Sequence, residues 1–194
     1  MREAKIYRRT DETEVQISIN IDGEGKADIN TGIKFFDHML KTMAKHGQFN
    51  LNVKCVGDLE IDTHHTVEDI GIVLGKAIKK AIGSKEGIKR YGLAYTPMDE
   101  SLSRIAIDMS GRSFLVYNVE FTREFVGDFE TETLREFFTA LTNNAELTLH
   151  INLLYGSNNH HIIESVFKGF GRAFKEAVSL NENIKGVLST KGVL

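Results

Sequence analysis

The chain is written twice, and no other feature constrains its fold as strongly. The segment HHTVEDIGIVLGKAIKKAIG (64–83) aligns with HHIIESVFKGFGRAFKEAVS (160–179), and seven of the 20 positions are identical. The shared residues are both histidines, the glutamate, and the pairs Gly75/Gly171, Ala77/Ala173, Lys79/Lys175 and Ala81/Ala177. Upstream, DHMLKTMAKHGQFNLNV (37–53) and REFFTALTNNAELTLHI (135–151) place apolar residues at coincident positions. Earlier still, ETEVQISINIDG (12–23) shadows ESLSRIAIDMSG (100–111). Three parallels in one order imply duplication of a unit about half the chain long, residues 1–92 and 93–194.

Each unit reads in the same order. Alternating apolar residues (Val15, Ile17, Ile19, Ile21) predict a half-buried strand. A returning strand follows, KADIN in the first unit and SFLVYNVEF in the second. Turn signals at DGEG and SGR predict that each pair closes as a hairpin. A helix comes next (32–46 or 131–144), then a strand (49–56 or 146–155), then a second helix (64–82 or 159–178). Asp62 or Thr63, and Asn158 or Asn159, are the expected N-caps of those last helices. Their stripes (Val67, Ile70, Leu74, Ala77, Ala81; Ile163, Val166, Phe170, Phe174, Ala177) read as core. A duplicated β-β-α-β-α unit predicts an α+β architecture, mixed sheets with helices packed on them. The only proline, Pro97, falls near the start of the second unit.

Composition narrows the function classes. Hydrophobic residues make up 41% and charged residues 26% of the 194, as in soluble globular proteins. Net charge is -3 and no basic block reaches five residues, which argues against nucleic acid and membrane surfaces as partners. No apolar run is long enough to span a bilayer. MREAKIYRRT has no apolar run behind its charges and does not read as a signal peptide. Cys55, the only cysteine, lies in a strand-like stretch and reads as a buried thiol, so a reducing, cytoplasmic setting is expected.

Adjacent histidines on a helix point about 100° apart, so the two cannot serve one ion in the same way. His64 and Glu68, at i and i+4, share a face, and His65 points elsewhere; His160, Glu164 and His161 repeat the arrangement. Each helix therefore offers a two-ligand half-site and a single ligand. Pseudo-symmetry pairs His64 and Glu68 with His161, and His160 and Glu164 with His65. Equal numbers of imidazoles and carboxylates suit Mn²⁺, Zn²⁺ or Fe²⁺. The lack of thiolates disfavours a structural zinc site. His38 falls opposite Glu136 in the repeat, and each could add a ligand. A single HHxxE would read as surface histidines near a helix cap; two copies on duplicated helices favour metal. His150, opposite Asn52, reads as structural.

FFDHML, THHTVEDIGIVLG, PMDESLSRIAIDMSGR and NNHHIIESVFKGFGRAFKEA closely resemble the imidazole glycerol-phosphate dehydratase family of histidine biosynthesis, and the likeness runs from RRTDETEV to STKGV. The resemblance implies helices sandwiched between two mixed four-stranded sheets. It implies two Mn²⁺ per active site and conversion of imidazole glycerol phosphate to imidazole acetol phosphate and water. It also implies trimers that build an octahedral 24-mer, with active sites between subunits. Carried over by matched motif, one ion is held by His38, His65, His160 and Glu164. The other is held by His64, Glu68, His161 and Glu136, the last standing where many members have histidine.

The substrate explains the ions. The proton to be removed has no carbonyl beside it, so the imidazole ring must act as electron sink. A ring stabilised as imidazolate could expel the hydroxyl through a diazafulvene, and loss of the neighbouring proton would give the enol of the product. By resemblance Glu12 is the general acid/base, and without it Glu12 would read as an exposed hairpin carboxylate. Glu100, its repeat counterpart, and Asp99 form a second acidic pair. By the same resemblance Arg90, Arg112 and Lys191 match substrate positions that would grip the phosphate, and Ser189, Thr190 and the Gly192 backbone could add hydrogen bonds. STKGVL, the end of the tail 184–194, would ordinarily read as disordered, and closing over the phosphate is its sharper reading. Lys168 and His46 match further substrate positions, beside His38, His64, His65, Glu68 and His160. Two other readings compete: a dimetal phosphohydrolase, which needs ions about 3.5–4 Å apart, and a non-catalytic assembly cemented by metal.

Overall fold

The computed structural model describes residues 2–194. In chain order the first unit contains β1 (Glu3–Arg9), β2 (Thr13–Asn20), β3 (Ala27–Asn30), α1 (Lys34–Gly47), β4 (Asn50–Gly57) and α2 (His64–Ile82). The second contains β5 (Tyr91–Met98), β6 (Ser101–Asp108), β7 (Phe114–Asn118), a small hairpin β8 (Phe125–Val126) and β9 (Phe129–Glu130), α3 (Thr133–Ala145), β10 (Thr148–Tyr155) and α4 (Asn159–Val178). The two large sheets run β1-β2-β4-β3 and β5-β6-β10-β7. In each, the last pair is parallel and the others antiparallel, so both sheets are mixed. α1 and α2 lie on the first sheet and α3 and α4 on the second. α1 packs on α4 and α2 on α3, which puts the helices between the sheets. The duplicated α+β sandwich is thus as expected, with an additional leading strand in each unit.

Those leading strands escape a periodicity reading for a physical reason. In β1 only Ala4 is fully buried, and its charged neighbours blunt a sheet edge. In β5 the inward residues are the small Gly92, Ala94 and Thr96, while Tyr91, Leu93 and Tyr95 face outward at 54%, 55% and 49% exposure. α4 sits so close that a Cβ on Gly92 would lie 1.9 Å from the Ala173 carbonyl oxygen. Pro97 is tolerated because β5 is an edge strand.

The expected hairpins do not form. β3 pairs with β4, not with β2, and β7 pairs with β10, not with β6. The DGEG segment wraps over the start of β4, where Asn50 Oδ1 accepts from the Glu24 and Lys26 amides at 2.9 and 3.0 Å. β2 is already flanked by β1 and β4, so the chain is carried across to the free edge of β4. In the second unit, the Ser110–Ser113 turn makes the same passage, held by Ser110 Oγ and Thr148 Oγ1 at 3.1 Å.

The helices meet at small residues. A Cβ on Gly75 would lie 2.6 Å from the Leu141 carbonyl oxygen, and one on Gly171 would lie 2.4 Å from that of Met43. These two shared glycines of the repeat are therefore the close-approach points of α2 on α3 and of α4 on α1. Between the helices Phe36, Phe137 and Phe167 pack with centroids 5.2 Å (36–137) and 5.7 Å (137–167) apart, joining the units in one core. The expected apolar stripes of α2 and α4 are all buried.

Candidate active site

The starts of α2 and α4 present the paired histidines. Asn158 Oδ1 caps α4 by accepting from the His160 and His161 amides at 2.9 and 3.4 Å. At α2 the N-cap is Thr63, whose side chain makes no capping hydrogen bond; Asp62, one residue before it, accepts at Oδ1 from the His64 amide at 2.7 Å. The β8–β9 hairpin reaches back to the first unit. Asp128 accepts from the amides of Lys34 and Phe35 at 2.6 and 2.9 Å, and Glu130 Oε2 accepts from Thr63 Oγ1 at 2.7 Å. It therefore pins the first turn of α1 and the entry to α2.

One metal-type cluster forms among the described residues. The ligand atoms of His38, His160 and Glu164 all lie within 4.8 Å of one another. Glu164 is buried, and Lys168 Nζ takes its Oε1 at 2.7 Å. That leaves Oε2 facing the imidazoles, 3.0 Å from His160 Nε2 and 3.9 Å from His38 Nε2. Burial pushes the Glu164 carboxyl up, but the Lys168 hydrogen bond and charge, with His160 and His38, bring it below the usual value. An anionic carboxylate beside two imidazole nitrogens is a chemically suitable set for a divalent ion such as Mn²⁺.

The remaining ligands are not gathered with it in one chain. His64 Nε2 lies 3.8 Å from Glu68 Oε2. Glu136 lines a cavity of about 710 Å³ with Tyr117, Glu132 and Arg135. His65 and His161, which pseudo-symmetry pairs with the opposite half-sites, do not meet them within the chain. His65 Nδ1 is 2.9 Å from Asp58 Oδ2, and its Nε2 is 3.7 Å from Glu12 Oε1. His161 Nδ1 is 2.7 Å from Glu100 Oε2, and its Nε2 is 3.7 Å from Asp99 Oδ2. The Asp58 hydrogen bond raises the His65 pKa, and the Glu100 hydrogen bond raises that of His161. Each imidazole is thus held at Nδ1 with Nε2 turned toward solvent-facing carboxylates.

The expected phosphate residues converge elsewhere. Arg90, Arg112, Ser189, Thr190 and Lys191 line one cavity of about 890 Å³ with the tail. Gly192, with φ 74°, lies at the bend between Lys191 and Val193. Arg90 is held by Asp108 at 2.7 and 3.1 Å and donates to the Leu188 carbonyl at 2.7 Å, so it also anchors the tail. His46 and Lys168 line a third cavity, about 470 Å³, with Glu164, Lys41 and Lys45. Burial lowers the His46 pKa, with the Lys168 and Arg172 charges adding to it. Cys55 is a buried thiol pushed up to about 12 by burial. His150 is exposed on β10 and takes no part in these clusters.

Asp58 and Asp108 are absent from the expected site. Asp58 stands six residues before the paired histidines, and Asp108 closes an alternating strand. A carboxylate near HH was a usable signal, but its use depends on the turn after β4, which periodicity does not reveal.

A family model described as imidazoleglycerol-phosphate dehydratase matches residues 31–174. The chain is 59% identical to the imidazoleglycerol-phosphate dehydratase of Clostridium novyi (strain NT), covering 100% of this chain and 98% of that one. It is 60% identical to that of Oceanobacillus iheyensis, covering 100% of each. Among solved structures, it superposes on the Staphylococcus aureus imidazoleglycerol-phosphate dehydratase with a TM-score of 0.84 at 41% identity, covering 92% of this chain and 99% of that one. The Pyrococcus furiosus IGPD structure gives 0.84 at 34% identity, covering 97% and 100%.

Proposed function

We propose, for a chain that belongs to the imidazoleglycerol-phosphate dehydratase family of hydro-lyases, that it dehydrates imidazole glycerol phosphate to imidazole acetol phosphate in a metal-dependent step of histidine biosynthesis. The observation that carries the metal dependence is the His38–His160–Glu164 cluster, with Glu164 Oε2 turned to both imidazoles.

His38, His160 and Glu164 would hold one Mn²⁺, with His65 as a further ligand; His64, Glu68, His161 and Glu136 would hold a second. When bound, the ions supply Lewis acidity that stabilises negative charge on the substrate's imidazole ring. His65 and His161 are turned away from the half-sites of their own chain, and His38 is 54% exposed at its side chain. This supports completion of each ligand set by a second copy, in trimers that build a 24-mer with active sites between subunits.

The chain's own groups do the rest. Glu12 Oε1, beside His65 Nε2, takes the proton from the carbon next to the one that loses hydroxyl. The product enol then tautomerises to the ketone, with water as the other product. Arg112, Lys191 and the Ser189 and Thr190 hydroxyls grip the phosphate, the Gly192 amide closes the turn beneath them by donating to the Ser189 carbonyl at 3.0 Å, and Arg90, braced by Asp108, holds the tail in place. Lys168 holds Glu164 anionic, and His46, kept neutral by burial and cationic neighbours, can hydrogen-bond the substrate chain.

An assay of ketone formation from imidazole glycerol phosphate, with chelated protein titrated with Mn²⁺, tests this. Activity should be absent without metal and saturate on addition. Full turnover in excess chelator would end the metal-dependent reading.

A further inference from the structure

The two histidine helices are copies, yet the carboxylates around them are used differently. Carboxylates only accept, so His161 Nδ1 carries the proton that it donates to Glu100 Oε2 at 2.7 Å. The other oxygen of Glu100 is engaged too, accepting from the Asn158 amide at 2.8 Å, the Ser157 amide at 3.2 Å and the Ser101 hydroxyl at 3.0 Å. Glu100 is therefore fixed in place. Glu12 is its counterpart in the repeat, but Glu12 does not reach His65 Nδ1. Asp58 Oδ2 takes that position at 2.9 Å. Glu12 lies on the other side of the ring, 3.7 Å from Nε2, with its side chain 54% exposed.

The turn after each central strand explains the exchange. Asp58 follows β4, whereas Gly156 follows β10. A Cβ on Gly156 would lie 2.4 Å from Ser101 Oγ, so the second unit has no room for a side chain there. It must orient His161 from Glu100. The first unit has the room. There the Asp58 amide donates to the Glu12 carbonyl at 3.2 Å, and the Asp58 carbonyl accepts from the Ile61 amide at 2.9 Å. Among the described residues Asp58 Oδ1 is buried without a hydrogen-bond partner, and the His65 ring is the carboxylate's one side-chain partner. In the second unit, the side of His161 Nε2 faces Asp99, one methylene shorter than Glu12 and 72% exposed.

We infer that Asp58 is a positioning residue: it holds His65 with Nδ1 protonated and Nε2 presented to a metal ion, and so releases Glu12, the repeat partner of Glu100, for proton transfer. This rests on the proposed metal sets and on Glu12 as the base. A carboxylate behind a ligating imidazole fixes its tautomer and ring angle, and its loss weakens metal binding.

The Mn²⁺-loaded assembly is dialysed against graded chelator, and Mn per chain, kcat, KM and melting temperature are measured. Asp58→Ala should release one of two ions about 10- to 100-fold more readily and leave the other as in wild type. Asp58→Asn, whose amide oxygen still accepts from Nδ1, should recover most of that loss. Asp58→Glu keeps the charge but displaces it by a methylene, and it reads the same one-ion loosening if the alanine variant does not assemble. Glu12→Gln should keep both ions while kcat falls about 10²- to 10⁴-fold. If the Asp58 variants hold both ions like wild type, or loosen both equally, the positioning role is overturned. Wild-type kcat in Glu12→Gln would instead remove the base assignment, leaving the one-ion effect of Asp58 to be read separately.

Discussion

Gly171→Ala tests mechanically how the fold serves the site. α1 carries His38, α4 carries His160 and Glu164, and at Gly171 the backbone of α1 stands where a side chain would go. An added Cβ would lie 2.4 Å from the Met43 carbonyl oxygen and 2.9 Å from the Gly47 amide nitrogen. Both are backbone atoms and cannot swing aside as a side chain would. Since ordinary contact begins near 3.4 Å, the helices must part locally by about 1 Å. Overpacking costs about 1–3 kcal/mol, and a rigid backbone neighbour puts this case near the top of that range. The better helix propensity of alanine offsets about 1 kcal/mol. The net loss of about 2 kcal/mol should lower the melting temperature by about 4–8 °C in a chain of this size. Thermal unfolding followed by circular dichroism, with and without Mn²⁺, reads this directly. Retention of one ion should fall as well, because the displacement separates His38 from the other two ligands. The mirror variant, Gly75→Ala, meets the Leu141 carbonyl oxygen at 2.6 Å and should destabilise similarly. A Gly171→Ala protein that melted at or above wild type and held its metal equally well would refute the reasoning.

Other outcomes follow from the site. The raised His65 and His161 pKa values mean that protons compete with metal from the usual imidazole value of 6.5 or above, so Mn per chain should fall as the pH is lowered through that region. In metal-free protein the sign is opposite: the His65–Asp58 and His161–Glu100 pairs stabilise the fold fully below 6.5 and lose that contribution as pH rises through the raised values, which melting curves against pH will show. Glu136→Ala should weaken retention of one ion and Glu136→His should shift metal preference; unchanged retention in the alanine variant would take Glu136 out of the ligand set. Lys191→Ala should raise KM about tenfold or more with a smaller effect on kcat, measured by steady-state turnover. Cys55, with its thiol pushed up to about 12, should resist alkylation at neutral pH until the protein unfolds, as mass spectrometry would show.

The helices were the most legible part of the chain because their signals are local. Periodicity, Asn158 and the repeat itself place α4 at Asn159–Val178 and α2 at His64–Ile82, where they are expected. Strand partners are set by tertiary passage, not by turn residues alone. DGEG reads as a hairpin turn, but Asn50 draws it over β4. β5 hides because α4 demands small inward residues, leaving the large apolar ones outside. In the site, i,i+4 geometry joins His160 to Glu164, whereas the repeat left open which half-site His38 joins, and it was the family resemblance that grouped the three residues that lie together. Asp58 offers only its nearness to the paired histidines, and Asp108 offers no signal, because their partners are set by a turn and a strand end that periodicity does not place. The chemistry-bearing residues are short-range signals, and the groups that orient them are long-range ones.

Whether one ion draws its ligands from two copies of the chain is read most directly by subunit mixing. His65→Ala and His160→Ala each remove one ligand of the same ion, so each variant alone should be inactive. Coexpressed and assembled together, they should place intact His160 of one copy against intact His65 of another in about a quarter of the sites and regain about that fraction of wild-type activity. A mixed assembly no more active than either variant alone would put both ligands in the same chain and contradict the intersubunit site.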